Sequence, residues 1–127
     1  MNDVFDFVED DSQSNMFDVE FCSIDDMLNS VVLYKGMTDF PTTNGLRKLI
    51  AVTTNDGTDT AFLTSSKKII EQVEGMNVNK RIPFRAVMKC VSYGGAFIGF
   101  KLFPPNSEVT DEDRRLSQQY KKTKFKH

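Results

Sequence analysis

The side chains in this sequence that could do chemistry are flat rings and cations, set close together. Eleven phenylalanines and three tyrosines stand among 16 lysines and arginines. Tyr93 precedes the pair Gly94-Gly95, and Phe97, Lys101 and Phe103 follow at even spacing. Arg85 and Lys89 share one face of a period-two segment, and Arg47-Lys48 opens another. Rings and cations in such company suit an unpaired nucleic-acid strand, because cations track phosphates and rings stack on bases. Stacking contributes roughly 1–3 kcal/mol per base, so about two or three placed rings suffice.

The inventory for catalysis is poor. The one histidine, His127, is the last residue, so neither Cys22 nor Cys90 has a histidine near it in the sequence. The two cysteines are too few and too far apart for a zinc site. Asp10-Asp11 and Asp25-Asp26 lack a third spaced ligand, and no Walker-type phosphate loop is present. The expectation is a binding protein, not an enzyme, with no cofactor and no metal.

The candidate nucleic-acid-binding residues are Tyr34, Phe40, Arg47, Lys48, Phe62, Arg85, Lys89, Tyr93, Phe97 and Lys101. Each has a plainer role open to it. Phe40, held before Pro41, can fold back as a plug, and Tyr93 can pack on a rim. Tyr34 and Phe62 can belong to the core, and the cations can line a solvated face. Phe84 and Phe100 run in phase with Ile82 and Ile98 and are assigned to the core.

The elements that must position these residues follow from periodicity and turn chemistry. Ser23 caps a helical turn through Leu28. Val31–Lys35 is β-branched and aromatic, a first strand. The stretch 37–45, with Pro41 and Gly45, reads as a turn. A second strand runs over 46–54, Asn55-Asp56-Gly57 makes a hairpin, and 60–64 is a third strand. Ile69, Ile70 and Val73 then share a helical face, capped by Thr64 or Ser65 and ended by Gly75. Strict alternation from Lys80 to Ser92 gives a fourth strand. Gly94-Gly95 turns it, and 96–103 is a fifth, stopped by Pro104-Pro105. A short helix runs from Thr110 to about Lys122, ahead of a basic tail.

The order β-β-β-α-β-β with short antiparallel strands predicts closure into a barrel, which removes exposed edges. The expected fold is all-β with one inserted helix: a five-stranded OB-type barrel over 23–106. An SH3-like barrel and a split α+β sheet are the alternatives. A disordered acidic arm over 1–22 precedes the barrel. A C-terminal helix and basic tail over 107–127 follow it.

From Val31 to Phe103 the pattern resembles the small single-stranded-DNA-binding proteins of bacteriophages and mobile elements. The residues that carry the resemblance are Leu49-Ile50-Ala51-Val52-Thr53-Thr54, Asp56-Gly57 and Phe62-Leu63-Thr64-Ser65-Ser66-Lys67, leading into Ile69-Ile70-Glu71-Gln72-Val73. Ile82-Pro83-Phe84-Arg85-Ala86-Val87-Met88-Lys89 and the Gly94-Gly95 hairpin complete it. The resemblance implies a protein that coats and protects single-stranded DNA during replication or recombination. Proteins of that kind carry their acidic, phenylalanine-bearing tail at the C-terminus; here the acidic segment is N-terminal.

Charge is divided along the chain. Nine acids and no base precede Lys35, and the remainder holds all 16 bases against nine acids, a balance of +7. A basic body joined to an acidic arm suggests an anionic partner for the body; the plainer reading is two solvated charge blocks that keep the protein soluble. Acids interleaved with Phe5, Phe7, Phe17 and Phe21 can imitate a nucleic-acid strand in the groove, or dock on a replication or recombination protein. An alternative from another class is an OB-type protein adaptor with an acidic docking arm. No apolar run of about 18 residues is present, the first residues are acidic, and the cysteines suit a reducing compartment. The expectation is a cytoplasmic protein that does not span a membrane; its oligomeric state is open.

Overall fold

A computed structural model describes residues 16–43, 45–94 and 97–124. Its elements are β1 (Phe21–Cys22), a 3-10 turn (Ile24–Met27), β2 (Val31–Thr42), β3 (Gly45–Thr53) and β4 (Asp59–Thr64). Then come α1 (Lys67–Val78), β5 (Phe84–Ser92), β6 (Ile98–Phe103) and α2 (Asp111–Lys124). The strands form one curled, mixed sheet in the order β1-β4-β3-β2-β5-β6. β1 joins β4 in parallel, and every other pairing is antiparallel. Among the described residues no helix is long and apolar enough to cross a membrane.

The sheet has six strands where five were expected. The sixth is β1, cut from the stretch assigned to the acidic arm. Phe21 and Cys22 lie opposite Ala61 and Phe62, and the Thr60 hydroxyl donates to the Glu20 carbonyl at 2.6 Å. The remainder of the arm up to residue 15 lies outside the described residues. A second difference is at 37–42, read as a turn. It continues β2 beyond a bulge between Tyr34 and Gly36. The ladder to β3 overrides turn-forming residue types, because each strand residue gains a partner.

The core lies between the concave side of the sheet and α1. Val32, Tyr34, Ile50, Val52, Phe62 and Met88 supply the sheet side, and Ile69 and Val73 supply the helix side. Phe84 and Phe100 pack against this cluster as expected. α1 starts at Ser66, whose Oγ accepts the Ile69 N–H at 3.4 Å, and runs through Gly75 to a cap at Asn79. The Gln72 side-chain amide fixes α1 to β6: it donates to the Leu102 carbonyl at 2.9 Å and accepts the Leu102 N–H at 2.8 Å. That pairing satisfies part of a sheet edge which would otherwise lie open. The fourth strand starts at Phe84, so Lys80–Pro83 serves as connection.

α2 opens on a capping box and is held against β5 by a long-range ion pair. Thr110 Oγ1 accepts the Asp113 N–H at 3.1 Å, and Asp113 accepts the Thr110 N–H at 2.9 Å. The same carboxylate receives the Lys89 ammonium at 2.9 Å. Farther along, Asn29 donates to Ser117 Oγ at 2.9 Å, and Tyr120 meets Phe100 edge-on at 5.0 Å between centroids.

Candidate nucleic-acid interface

The face of the β5–β6 hairpin opposite the core carries the densest grouping of rings and cations. Residues two apart on a strand share a face, so Gly99, Lys101 and Phe103 form one row along β6. Val91, Lys89 and Val87 lie directly across from them, with Arg85 next in line on β5. The Lys101 ammonium lies 5.4 Å from the Phe103 ring centroid, and that of Lys89 lies 5.0 Å away. Tyr93 packs its ring against the bare Cα of Gly99, so closely that a Cβ there would overlap the ring. At the hairpin end the Tyr93 N–H donates to the Phe97 carbonyl at 3.0 Å. Tyr93 and Phe97 are 58% and 79% exposed, unusually open for such side chains.

Beside this row runs a groove of about 600 Å³ between the second half of α1 and the ends of β5 and β6. Met76, Phe84, Leu102 and Phe103 contribute apolar surface, and Arg81, Arg85 and Glu71 add charge of both signs. Sequence reasoning passed over Arg81, although its spacing of four from Arg85 was the available signal. Gly99 was missed as well, because a glycine in a strand gives no sign of which ring it will receive.

Of the ten candidates, four lie on this hairpin, Arg85 at its open end and Tyr93 and Phe97 at its turn, with Lys101 between. Phe40 and Arg47 form a second group, directly opposite one another in the β2–β3 ladder. Phe40 is half-buried and meets Phe21 edge-on, with centroids 5.8 Å apart. Arg47, Arg81, Arg85 and Lys101 make no ion pair with a described residue.

The remaining four are corrected or reduced. Tyr34 and Phe62 are fully buried and cannot stack on a base. Both point to the concave side: Phe62 stands opposite Ile50, and Tyr34 stacks on Phe84 at 5.3 Å. Burial pushes the Tyr34 hydroxyl well above its ordinary pKa. Lys89 is spent internally, on Asp113 and on the Glu108 carbonyl at 2.6 Å. Lys48 forms an ion pair with Asp39, which lies across the ladder from it.

Asp113 has its ionisation shifted by this arrangement. Burial alone would raise its pKa; the Thr110 N–H and then the Lys89 ammonium outweigh it and hold the carboxyl below its ordinary value. The Cys90 thiol is pushed up by burial. No group of three or more His, Cys, Asp or Glu among the described residues is placed to hold a metal ion.

A family model described as a domain of unknown function, DUF8468, matches residues 18–103, from just before β1 to the end of β6. No curated protein and no solved structure matches the chain.

Proposed function

The chain belongs to the DUF8468 family, and from the geometry of its own sheet we propose that it is an OB-type protein that binds single-stranded DNA. The observation that carries this reading is the row of Tyr93, Lys101 and Phe103 beside Arg85. It offers rings for bases and unspent cations for phosphates on one face.

The strand order supports the OB part of the reading. With β1 set aside, the order is β4-β3-β2-β5-β6, in which the first long strand is shared between β3 and β5. The inserted helix follows the third strand of this set, and a hairpin ends it. OB-folds bind oligonucleotides on the face of the second and third strands and through the first and last hairpin loops; Tyr93 belongs to the last of these loops, and Phe40 and Arg47 stand at the first. The role comes from the resemblance to phage proteins: the chain would coat and protect unpaired template during replication or recombination, as a binding protein and not an enzyme. DNA as the ligand comes from the resemblance to phage proteins.

Fluorescence anisotropy with labelled oligo-dT, a matched duplex and a matched RNA, at two salt concentrations, tests the reading. Single strands should bind more tightly than duplex, and affinity should fall as salt rises, because phosphate contacts release counterions. Equal affinity for duplex, or binding indifferent to salt, would overturn it.

The groove beside α1 favours a second reading, a protein-binding adaptor, because Met76, Phe84, Leu102 and Phe103 make an apolar surface. On that reading Met76→Glu would abolish partner capture and leave oligonucleotide binding unchanged.

A further inference from the structure

The opposite end of the same sheet face is not bare. Gly36, Ala51, Ala61 and Phe21 lie opposite one another in a single row across β2, β3, β4 and β1. Three of these residues have no side chain beyond Cβ, so the row is a shallow trough. Yet Ala51 and Ala61 are fully buried, and Leu49 in the next row is 3% exposed. At Gly36 the cover is the chain itself. Met16 Sδ lies 2.8 Å, and Phe17 Cζ 3.6 Å, from where a Cβ on Gly36 would stand. Gly36 has no left-handed φ, so its backbone does not require glycine. To admit a side chain there, the flexible end of Met16 would have to shift.

We propose that residues 16–22 are a displaceable strap over the β2–β4 face, and that single-stranded DNA competes with the strap for that face. The proposal rests on the DNA-binding reading and adds to it a means of regulation. The strap already has the layout of a bound strand. In Phe17-Asp18-Val19-Glu20-Phe21, Phe17 and Val19 are half-buried, while Asp18 and Glu20 are exposed. Phe21 meets Phe40, one of the rings suited to a base. Phe17 and Val19 thus lie inward and the two carboxylates outward, as bases and phosphates would on a stacking platform, while Phe21 keeps 48% of its surface exposed.

The hold is slight. β1 contributes two register pairs, and Glu20 adds one hydrogen bond, from Thr60. A two-residue strand has little stability of its own. Asp18 and Glu20 make no ion pair with a described residue. The strap is therefore held by apolar contact, which salt does not screen. This separates it from an acidic arm attracted only by charge, which rising salt would release.

The test uses the full chain and two substitutions. Gly36→Ala places a methyl where Met16 sits, and Phe17→Ser removes an anchor without touching the sheet. Labelled oligo-dT is titrated at low and high salt. Hydrogen exchange of residues 16–22 is followed with and without oligo-dT, and melting curves check that each variant folds. Both variants should bind oligo-dT roughly three- to tenfold more tightly, since apparent affinity scales with the fraction of open molecules. The gain should persist at high salt, and exchange in 16–22 should rise when DNA is added. Unchanged affinity in both variants, with 16–22 still protected in the DNA complex, would overturn the strap and leave the DNA-binding reading standing. Failure of all three proteins to bind oligo-dT would overturn both.

Discussion

Lys89 places its ammonium 2.9 Å from the carboxylate of Asp113, and only 9% and 16% of the two side chains are exposed. The pair joins the middle of β5 to the first turn of α2. It also removes from solvent a cation that strand periodicity alone assigns to an open face. Asp113→Asn should therefore destabilise the fold by about 2 kcal/mol, because it leaves a buried ammonium without a counter-charge. Urea denaturation of the variant beside the natural chain measures this, and a change within error would show that the pair contributes nothing.

The same carboxyl sets a dependence on acid. Its folded pKa lies below the ordinary value, so its stabilisation is fully present above the unfolded pKa, about 3.9 for an aspartate. It is lost as the pH falls through the lower, folded value. Stability measured from pH 6 down to pH 2 should show an acid limb that is shallower in Asp113→Asn. Parallel curves would assign acid sensitivity to other carboxylates.

Tyr93→Ala should weaken oligo-dT binding by roughly 1–3 kcal/mol. The melting temperature should hardly move, because the ring is 58% exposed and rests on Gly99 alone among the glycines. A large loss of stability would mean that the ring closes the hairpin instead of meeting a base.

Arg85→Ala and Lys101→Ala address the cations. Each should weaken binding to every sequence alike and flatten the plot of log affinity against log salt by about one. Lys48→Ala, which removes a cation already paired with Asp39, should change that slope less. Equal slopes for all three variants would show that the β5–β6 face does not carry the phosphates.

Phe62→Ala supplies the contrast. Its ring is fully buried in the core, so truncation should cost about 3–5 kcal/mol of stability. Any loss of DNA affinity should track the unfolded fraction. A stable Phe62→Ala protein with impaired binding would return this residue to the interface.

Much of the architecture can be read without coordinates. Alternation in 82–90 places Phe84, Ala86 and Met88 together on the core side, as they are found. The turn at 55–57 falls where local residue types put it; the helix after Thr64 is present too, but Ser66 caps it and it runs past Gly75 to Val78. Turn chemistry misled at 37–42, because Pro41 and Gly45 are compatible with the far end of a hairpin as well as with a free turn. Of the candidate interface, the hairpin group of Arg85, Tyr93, Phe97 and Lys101 was legible from spacing.

By itself the sequence determined the order of elements from β2 to α2 and the division of those strands into two faces, because both follow from neighbours along the chain. Only the tertiary structure decided what covers each face. Tyr34 and Phe62 became core because the sheet curls their side over α1. Lys89 lost its exposure to Asp113, and the Gly36–Ala51–Ala61 row received Met16 and Phe17. Period two separates the sides of a strand, but burial depends on which distant segment can gain enough contact to offset the entropy of being held there.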